Sequence, residues 1–317
     1  MIRNFTAGSQ NVVHCIGVLF AFALVYLVLR NYRSILPRDK GREFAVNGAL
    51  SAGKPRGAGL IFVPSFILAA LMFDRVSPEK LIYMVLLAVE MATGYLDDSS
   101  ATPWGELKKG LLDFAVAAAA SITYVIFNGS TITMPIFNLE VSMHPVIYVI
   151  LAVILIWTSI NVTNCTDGVD GLSGTLTIIT LFSFFILDQG VEGMDYQIVL
   201  FIASLLGYQW FNAKPSLLLM GDAGSRAMGF FIAIVAMKSG HPFMFIPLAL
   251  IMILDGGLGL VKVSFIRYLK LKNFMANVKT PLHDNVRKLR GWSDTQTVFR
   301  FAIMQIVISI MALYLAQ

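Results

Sequence analysis

Charge is what this chain has least of. Only 14% of its 317 residues are Asp, Glu, Lys or Arg, whereas 57% are hydrophobic. A soluble domain carries about 25% charged and about 45–50% apolar residues, so a water-facing surface cannot be built from this composition. That excludes an ordinary cytosolic enzyme, and it excludes a disordered chain, which must be poor in apolar residues. Cysteine is scarce too: Cys15 and Cys165 lie far apart with no metal-ligand spacing. A disulfide-stapled secreted domain is thereby excluded, and free thiols are favoured. The first apolar run lacks a small-residue cleavage site and is followed by Arg30, Arg33 and Arg38, so it reads as an uncleaved first span. No internal repeat or low-complexity stretch is visible.

What the chain does have is apolar runs. A membrane-spanning helix needs about 20 mostly apolar residues. Candidate runs lie near 11–30, 57–73, 80–96, 111–128, 143–160, 171–187, 196–213, 224–238, 242–268 and 297–316. The expected fold is an all-α polytopic membrane protein with about ten transmembrane helices, forming one integral domain over 1–317. The ninth run holds Asp255, Gly256, Gly257, Gly259 and Lys262, which predicts a bend or break there. Residues 128–144 read as an outside loop with hairpin character.

The net charge of +5 has a topological explanation. Of 24 Lys and Arg, 19 fall in or beside loops after odd-numbered runs, four on the other side, and Lys262 within the ninth. The positive-inside rule then places odd-numbered loops in the cytosol and both termini outside. Nucleic acid is not needed to account for the basic balance.

The cytosolic loops hold the polar motifs. The third opens with Asp97-Asp98, followed by Glu106, Lys108 and Lys109. Adjacent carboxylates at a membrane boundary call for a compensating cation, although a solvated helix end accounts for a bare pair equally well. The fifth loop runs from Asn161 to Gly174 with no Lys or Arg, and packs Asn161, Asn164, Asp167 and Asp170 among threonines and glycines. Such a loop reads a polar ligand by hydrogen bonds. The seventh, Gly221-Asp222-Ala223-Gly224-Ser225, leads into a helix whose N-terminus suits an anion. The ninth contains Thr280-Pro281-Leu282-His283, and a histidine at a proline-fixed turn is either solvated or a proton-transfer or phosphate-contacting group. Asp255 and Lys262, seven residues apart inside a span, read equally as a pair or as site lining.

The acids Asp97, Asp98, Asp167, Asp170 and Asp222, with His283, all fall on one membrane face. An acidic cleft with nearby cations suits Mg²⁺-assisted phosphoryl transfer. Its interfacial position implies one substrate from water and one from the lipid bilayer.

These residues resemble the polyprenyl-phosphate N-acetylhexosamine-1-phosphate transferases, through Asn161-x-x-Asn164-x-x-Asp167-Gly-x-Asp170-Gly-Leu, Asp97-Asp98 and Gly221-Asp222-x-Gly-Ser225. Thr280-Pro-Leu-His283 followed by Gly291-Trp-Ser resembles the phospho-N-acetylmuramoyl-pentapeptide transferase branch (translocase I). The resemblance spans about residues 51 to 300. It implies a ten-helix, dimeric bacterial plasma-membrane enzyme with a cytosolic cleft. The implied reaction takes phospho-MurNAc-pentapeptide from UDP to undecaprenyl phosphate, giving UMP and lipid I. By motif, Asp222 would hold Mg²⁺, with Asp97 and Asp98 beside the metal and lipid phosphate and Asp97 the suggested base. Asn164, Asp167 and Asp170 would line the nucleotide–pyrophosphate side, and Lys108 would match a uridine-side lysine.

Three departures bear on the sugar. The branch's histidine run is here His283-Asp284-Asn285. Its Thr-Pro-Thr-Met-Gly-Gly stretch is Lys54-Pro55-Arg56-Gly57-Ala58-Gly59, whose Pro-Arg resembles the GlcNAc-1-phosphate transferases. Lys262 stands where Gln is usual. A GlcNAc-1-phosphate transferase is therefore the alternative enzyme. A secondary transporter using Asp255 and Lys262 as coupling charges is the rival from another class, although transporters place their sites near the midplane with repeat symmetry.

Overall fold

The computed structural model describes residues 10–41, 51–100, 102, 104–187, 191, 193–271, 273, 275 and 278–317. Arg3, Arg42 and Lys272, counted above for orientation, lie outside them. The fold is mostly helical. In order come α1 (Gln10–Tyr32), α2 (Gly59–Phe73), α3 (Pro78–Ser99), α4 (Glu106–Asn128), α5 (Pro145–Thr166), α6 (Leu172–Ile186), α7 (Asp195–Asn212) and α8 (Gly221–Lys238). The ninth run is divided into α9 (Phe245–Leu248), α10 (Leu250–Met252), a π turn (Ile253–Gly257) and α11 (Leu258–Arg267). A short helix α12 (Leu282–Arg290) precedes α13 (Asp294–Leu315). Between α4 and α5, strands β1 (Thr131–Met134) and β2 (Leu139–Ser142) pair antiparallel, with Thr131 opposite Ser142.

Helix thus occupies each apolar run. By length and composition, Gln10–Ile35, Glu106–Asn128, Pro145–Thr166 and Asp294–Leu315 are long and apolar enough to cross a membrane. The pair Pro242–Leu248 and Leu250–Arg267, bent by 72°, makes a fifth if counted as one span. Helices α2 and α6 have 15 residues each, roughly 22 Å at 1.5 Å per residue, which is short of a hydrocarbon core about 30 Å thick. Ten crossings therefore exceed what helix length and composition alone support.

Local chemistry sets several boundaries. Ser77 caps α3 by accepting from the Lys80 N–H, with Pro78 at the first helical position. Ser293 and Gln296 form a reciprocal capping box on α13, which satisfies two otherwise orphaned donors. Gly291, at φ +64, ends α12 in the left-handed conformation that glycine tolerates.

Helix α8 is the centre of the bundle: Ala223 to Met237 are all buried. A helix apolar on every side belongs in a core, and α2, α3, α5 and α6 surround this one. Phe66, Phe201 and Phe231 form an aromatic cluster on its flank, with Phe201 and Phe231 stacked at 4.2 Å. At the end of the bundle where α8 begins, helices meet backbone to backbone. A Cβ placed on Gly94 would come within 2.5 Å of the Asp222 carbonyl. Gly94→Ala should therefore push α3 off α8, costing about 1–3 kcal/mol and lowering the thermal midpoint of the detergent-solubilised protein; an unchanged midpoint would show that this contact yields freely.

Candidate active site

Two loops and three helices deliver acids and bases to one cup. Asp39 comes from the chain after α1 and Arg56 from just before α2. Asp97 and Asp98 end α3, Lys109 lies in the first turn of α4, and Asp222 in the first turn of α8. Arg56 is shared among three carboxylates. Its Nε donates to Asp98 Oδ1 at 2.8 Å, its Nη1 to Asp39 Oδ1 at 3.1 Å and its Nη2 to Asp222 Oδ1 at 3.1 Å. Lys109 bridges Asp222 Oδ2, at 3.2 Å, and Asp97. The rest of the Asp97 carboxylate accepts the Trp104 N–H at 2.7 Å, and Asp98 Oδ2 accepts the Ala223 N–H at 3.2 Å. Gly221 makes the approach of Asp98 possible: its φ is +71, and a Cβ there would lie 2.2 Å from Asp98 Oδ2. Arg38, Asp39, Lys40, Arg56, Lys109 and the three motif acids line a cavity of about 350 Å³.

Burial raises the Asp98 carboxyl to about 6, with the Asp222 carboxylate adding to the shift and Arg56 opposing it. Asp222 moves the other way: burial favours its neutral form, but Lys109 and Arg56 outweigh it and hold the group below its usual value. Asp39 is likewise lowered, burial being outweighed by bonds from Ser51 and Arg56. Two neighbouring carboxyls pushed apart in acidity are a common feature of sites that handle charge.

The fifth loop forms the second wall. Asn164 at the end of α5 donates to Ser225 Oγ at 2.9 Å, tying this wall to the first turn of α8. Asp170 faces Lys54 at 3.7 Å and Lys214 at 3.6 Å, so cations absent from the loop itself arrive from two others. Asp167, half-buried, caps the C-terminus of α5.

The third wall is a buried His–Asp pair. Asp255, fully buried in the π turn, accepts the His283 backbone N–H at 2.7 Å and bonds His283 Nδ1 at 2.8 Å. A π turn inside a helix often marks a functional position. Nε2 of the same ring lies against Gly168, where a Cβ would approach it to 2.2 Å. Asp255 and Lys262 do not pair: Lys262 Nζ donates to the Val278 carbonyl at 2.7 Å.

Most sequence-selected residues gather here, Lys108 being the exception. Lys108 turns outward, its Nζ 3.3 Å above the Trp104 ring, and the adjacent Lys109 enters the cup instead. Arg226, counted among the cytosolic loop cations, is a core residue only 2% exposed. Asp39 and Arg56 carried no functional reading beyond the Pro-Arg departure, because their role depends on three other segments folding onto them. The Gly57 and Gly59 beside Arg56 were the available signal of a close approach.

A model described as Glycosyl transferase family 4 matches residues 80–240. The phospho-N-acetylmuramoyl-pentapeptide-transferase of Treponema pallidum (strain Nichols) is 39% identical over 323 aligned positions, covering 95% of this chain and 89% of its own. The chain belongs to this transferase family. Transferases of the same description from Bartonella quintana and Clostridium acetobutylicum are each 26% identical, over 88% and 84% of this chain and 85% and 86% of their own. The family match contains Asp97, Asp98, Lys109, Asn164, Asp167, Asp170 and Asp222. Arg56, Asp255 and His283 fall outside it, within the reach of the longer alignments.

At the same end of the bundle, Asp284 accepts from Arg287 at 2.6 Å, and Arg287 donates to Asp294 at 2.8 Å. Lys214 completes the chain to Asp294 at 2.8 Å. Burial works against ionisation of both Asp284 and Asp294, but bonds from Arg287 to the first, and from Lys214 and Arg287 to the second, hold both below the usual 3.8. Carboxyls lowered by folding stabilise the native state above their unfolded value and lose that contribution as pH falls through the folded one. Amide exchange in α12, corrected for intrinsic rate, should thus stay constant from about pH 8 to 5 and rise below about 4; loosening already between pH 7 and 6 would contradict this origin.

Proposed function

We propose that the chain transfers phospho-MurNAc-pentapeptide from its UDP derivative to undecaprenyl phosphate, releasing UMP and forming lipid I for peptidoglycan synthesis. The carrying observation is the meeting of the Asp97–Asp98, Asn164–Asp170, Asp222 and His283 segments at one end of the bundle, in a chain aligned with its relatives over nearly its whole length. The reading includes ten membrane crossings, both termini outside, a cleft on the cytosolic face of the bacterial plasma membrane, and a homodimer. It is supported by the 19 to 4 division of basic residues.

An oxygen of the lipid phosphate attacks the β-phosphorus of the UDP-sugar. The bond from that phosphorus to the oxygen bridging the two phosphates breaks, and UMP leaves with the electron pair. One phosphoanhydride replaces another. An ionised phosphate needs little help from a base, so the main demand is to neutralise two anions as they meet. Arg56 and Lys109, already spread across several carboxylates, are placed to share that charge. Asp255 orients His283, fixing Nδ1 and leaving Nε2 toward the fifth loop, where the pyrophosphate would lie against Asn164, Asp167 and Asp170.

The donor set suits Mg²⁺. Asp97, Asp98 and Asp222 supply hard oxygens, and among the described residues no group of three or more His, Cys, Asp or Glu is arranged to hold a metal alone. Mg²⁺ is usually held by one or two carboxylates together with substrate phosphates and water. Asp222, with Asp97 or Asp98, would hold the ion, which would supply charge neutralisation at the pyrophosphate.

One observation favours the second reading, a UDP-GlcNAc-dependent GlcNAc-1-phosphate transferase: Arg56, part of the Pro-Arg departure, stands in the cup itself. Assaying the purified protein with undecaprenyl phosphate and either UDP-MurNAc-pentapeptide or UDP-GlcNAc decides between them by UMP release. With the accepted donor, Asp222→Ala should lose at least about a hundredfold in turnover; near-normal release would remove Asp222 from the chemistry. His283→Ala should be severe while Asn285→Ala stays within about threefold of wild type, and equal losses would show that the histidine has no special part.

A further inference from the structure

Beneath the cup, three charged side chains are buried where the motifs and the proposed chemistry leave them unused. Glu90 on α3, Asp113 on α4 and Arg226 on α8 are 0%, 3% and 2% exposed. Arg226 Nη2 lies 3.2 Å from Glu90 Oε2 and also bonds Asp113 Oδ1. The same three helices supply Asp97, Lys109 and Asp222 to the cup above. On α4, Lys109 and Asp113 are four residues apart; on α8, so are Asp222 and Arg226. Both helices begin at the cup, so the pairs Lys109–Asp222 and Asp113–Arg226 are successive rungs, about 6 Å apart along each axis.

The rungs have opposite polarity. Sliding α4 by one turn against α8 would set Asp113 against Asp222, or Lys109 against Arg226. Like charges facing each other at low dielectric are strongly disfavoured. The in-register arrangement alone opposes every charge correctly. Helix α4 packs mainly on α3 and α5 and only through them on α8, so the direct link between α4 and α8 is made by these charged side chains. The long Lys109 and Arg226 side chains span the intervening space.

We propose that Glu90, Asp113 and Arg226 form a register lock that positions Lys109 over Asp222 for the transfer reaction, Arg226 being the positioning residue. The catalytic part of this statement rests on the reaction proposed above. A buried ion cluster is seldom a net source of stability, and apolar or neutral replacement of the whole set is often neutral or favourable. Its physical yield here is specificity of helix register, which no neutral set of similar volume supplies.

The test compares Arg226→Met with the triple variant Glu90→Gln, Asp113→Asn, Arg226→Met. Arg226→Met leaves two buried carboxylates without their cation, so its thermal midpoint and kcat should both fall. The triple variant should regain the midpoint while kcat stays down by about a hundredfold, with the KM for the UDP-sugar little changed. A second readout needs no turnover: acylation of Lys109 by an N-hydroxysuccinimide ester, followed by peptide mass spectrometry. In the triple variant Lys109 should react at least about threefold faster than in wild type as its hold on Asp222 loosens, with Lys108 unchanged as the internal control. A triple variant with wild-type midpoint, kcat and Lys109 labelling would overturn the lock. Faster Lys109 labelling in a protein that releases no UMP would retain the lock and refute the assigned reaction instead.

Discussion

Three carboxylates cannot share a half-buried cup unless a cation is divided among them. Asp39, Asp98 and Asp222 meet that condition through Arg56, whose planar fork offers three separate donors to three separate acids. A lysine, with one point of charge, would not hold three segments in fixed directions. Arg56 therefore joins the chain after α1, the end of α3 and the start of α8, and Lys109 adds α4. Remove the shared cations and the acids would repel, taking four segments apart at the end of the bundle where the family's motifs lie.

The central burial of α8 is the packing counterpart of that constraint. Asp222 sits in the first turn of a helix surrounded on all sides, with Gly94 allowing α3 to approach its backbone. The acid is fixed by the core of the protein and not by a loop. The fifth loop and the His283 segment reach the same place by different means. One is tied to Ser225 by Asn164, and the other to the π turn by Asp255.

Much of this was legible in the residues. Apolar runs located the helices, and the glycines around Asp255 pointed to the interruption of the ninth. Dense polar motifs identified the fifth and seventh loops. What escaped the sequence depended on side-chain direction. Lys108 and Lys109 are adjacent and chemically alike, but successive helix positions point about 100° apart, so one stacks outward on Trp104 and the other enters the cup. Arg226 resembled a topological loop cation until its two buried acids, 136 and 113 positions earlier in the chain, were seen beside it. Asp39 carries no local pattern, and Arg56 only the Pro-Arg pairing and the glycines that follow it, since most of their partners come from distant segments. Crossing number also resists a reading by hydropathy, because α2 and α6 are short and α8 carries charges within its first turns.

The ionic contacts fall into two populations that salt would distinguish. Asp170, Lys214, Asp294, Arg287 and Asp284 form a continuous chain joining the fifth loop, the seventh loop, α13 and α12, in which Lys214 is exposed while Asp284 and Arg287 are buried. The Arg226 cluster lies out of reach of mobile ions. At physiological ionic strength the screening length is about 8 Å, and further salt weakens the links at Lys214 while reaching the Arg226 cluster much less. The molecule therefore combines an ionic-strength-sensitive link between its outer loops with a buried cluster that salt reaches much less.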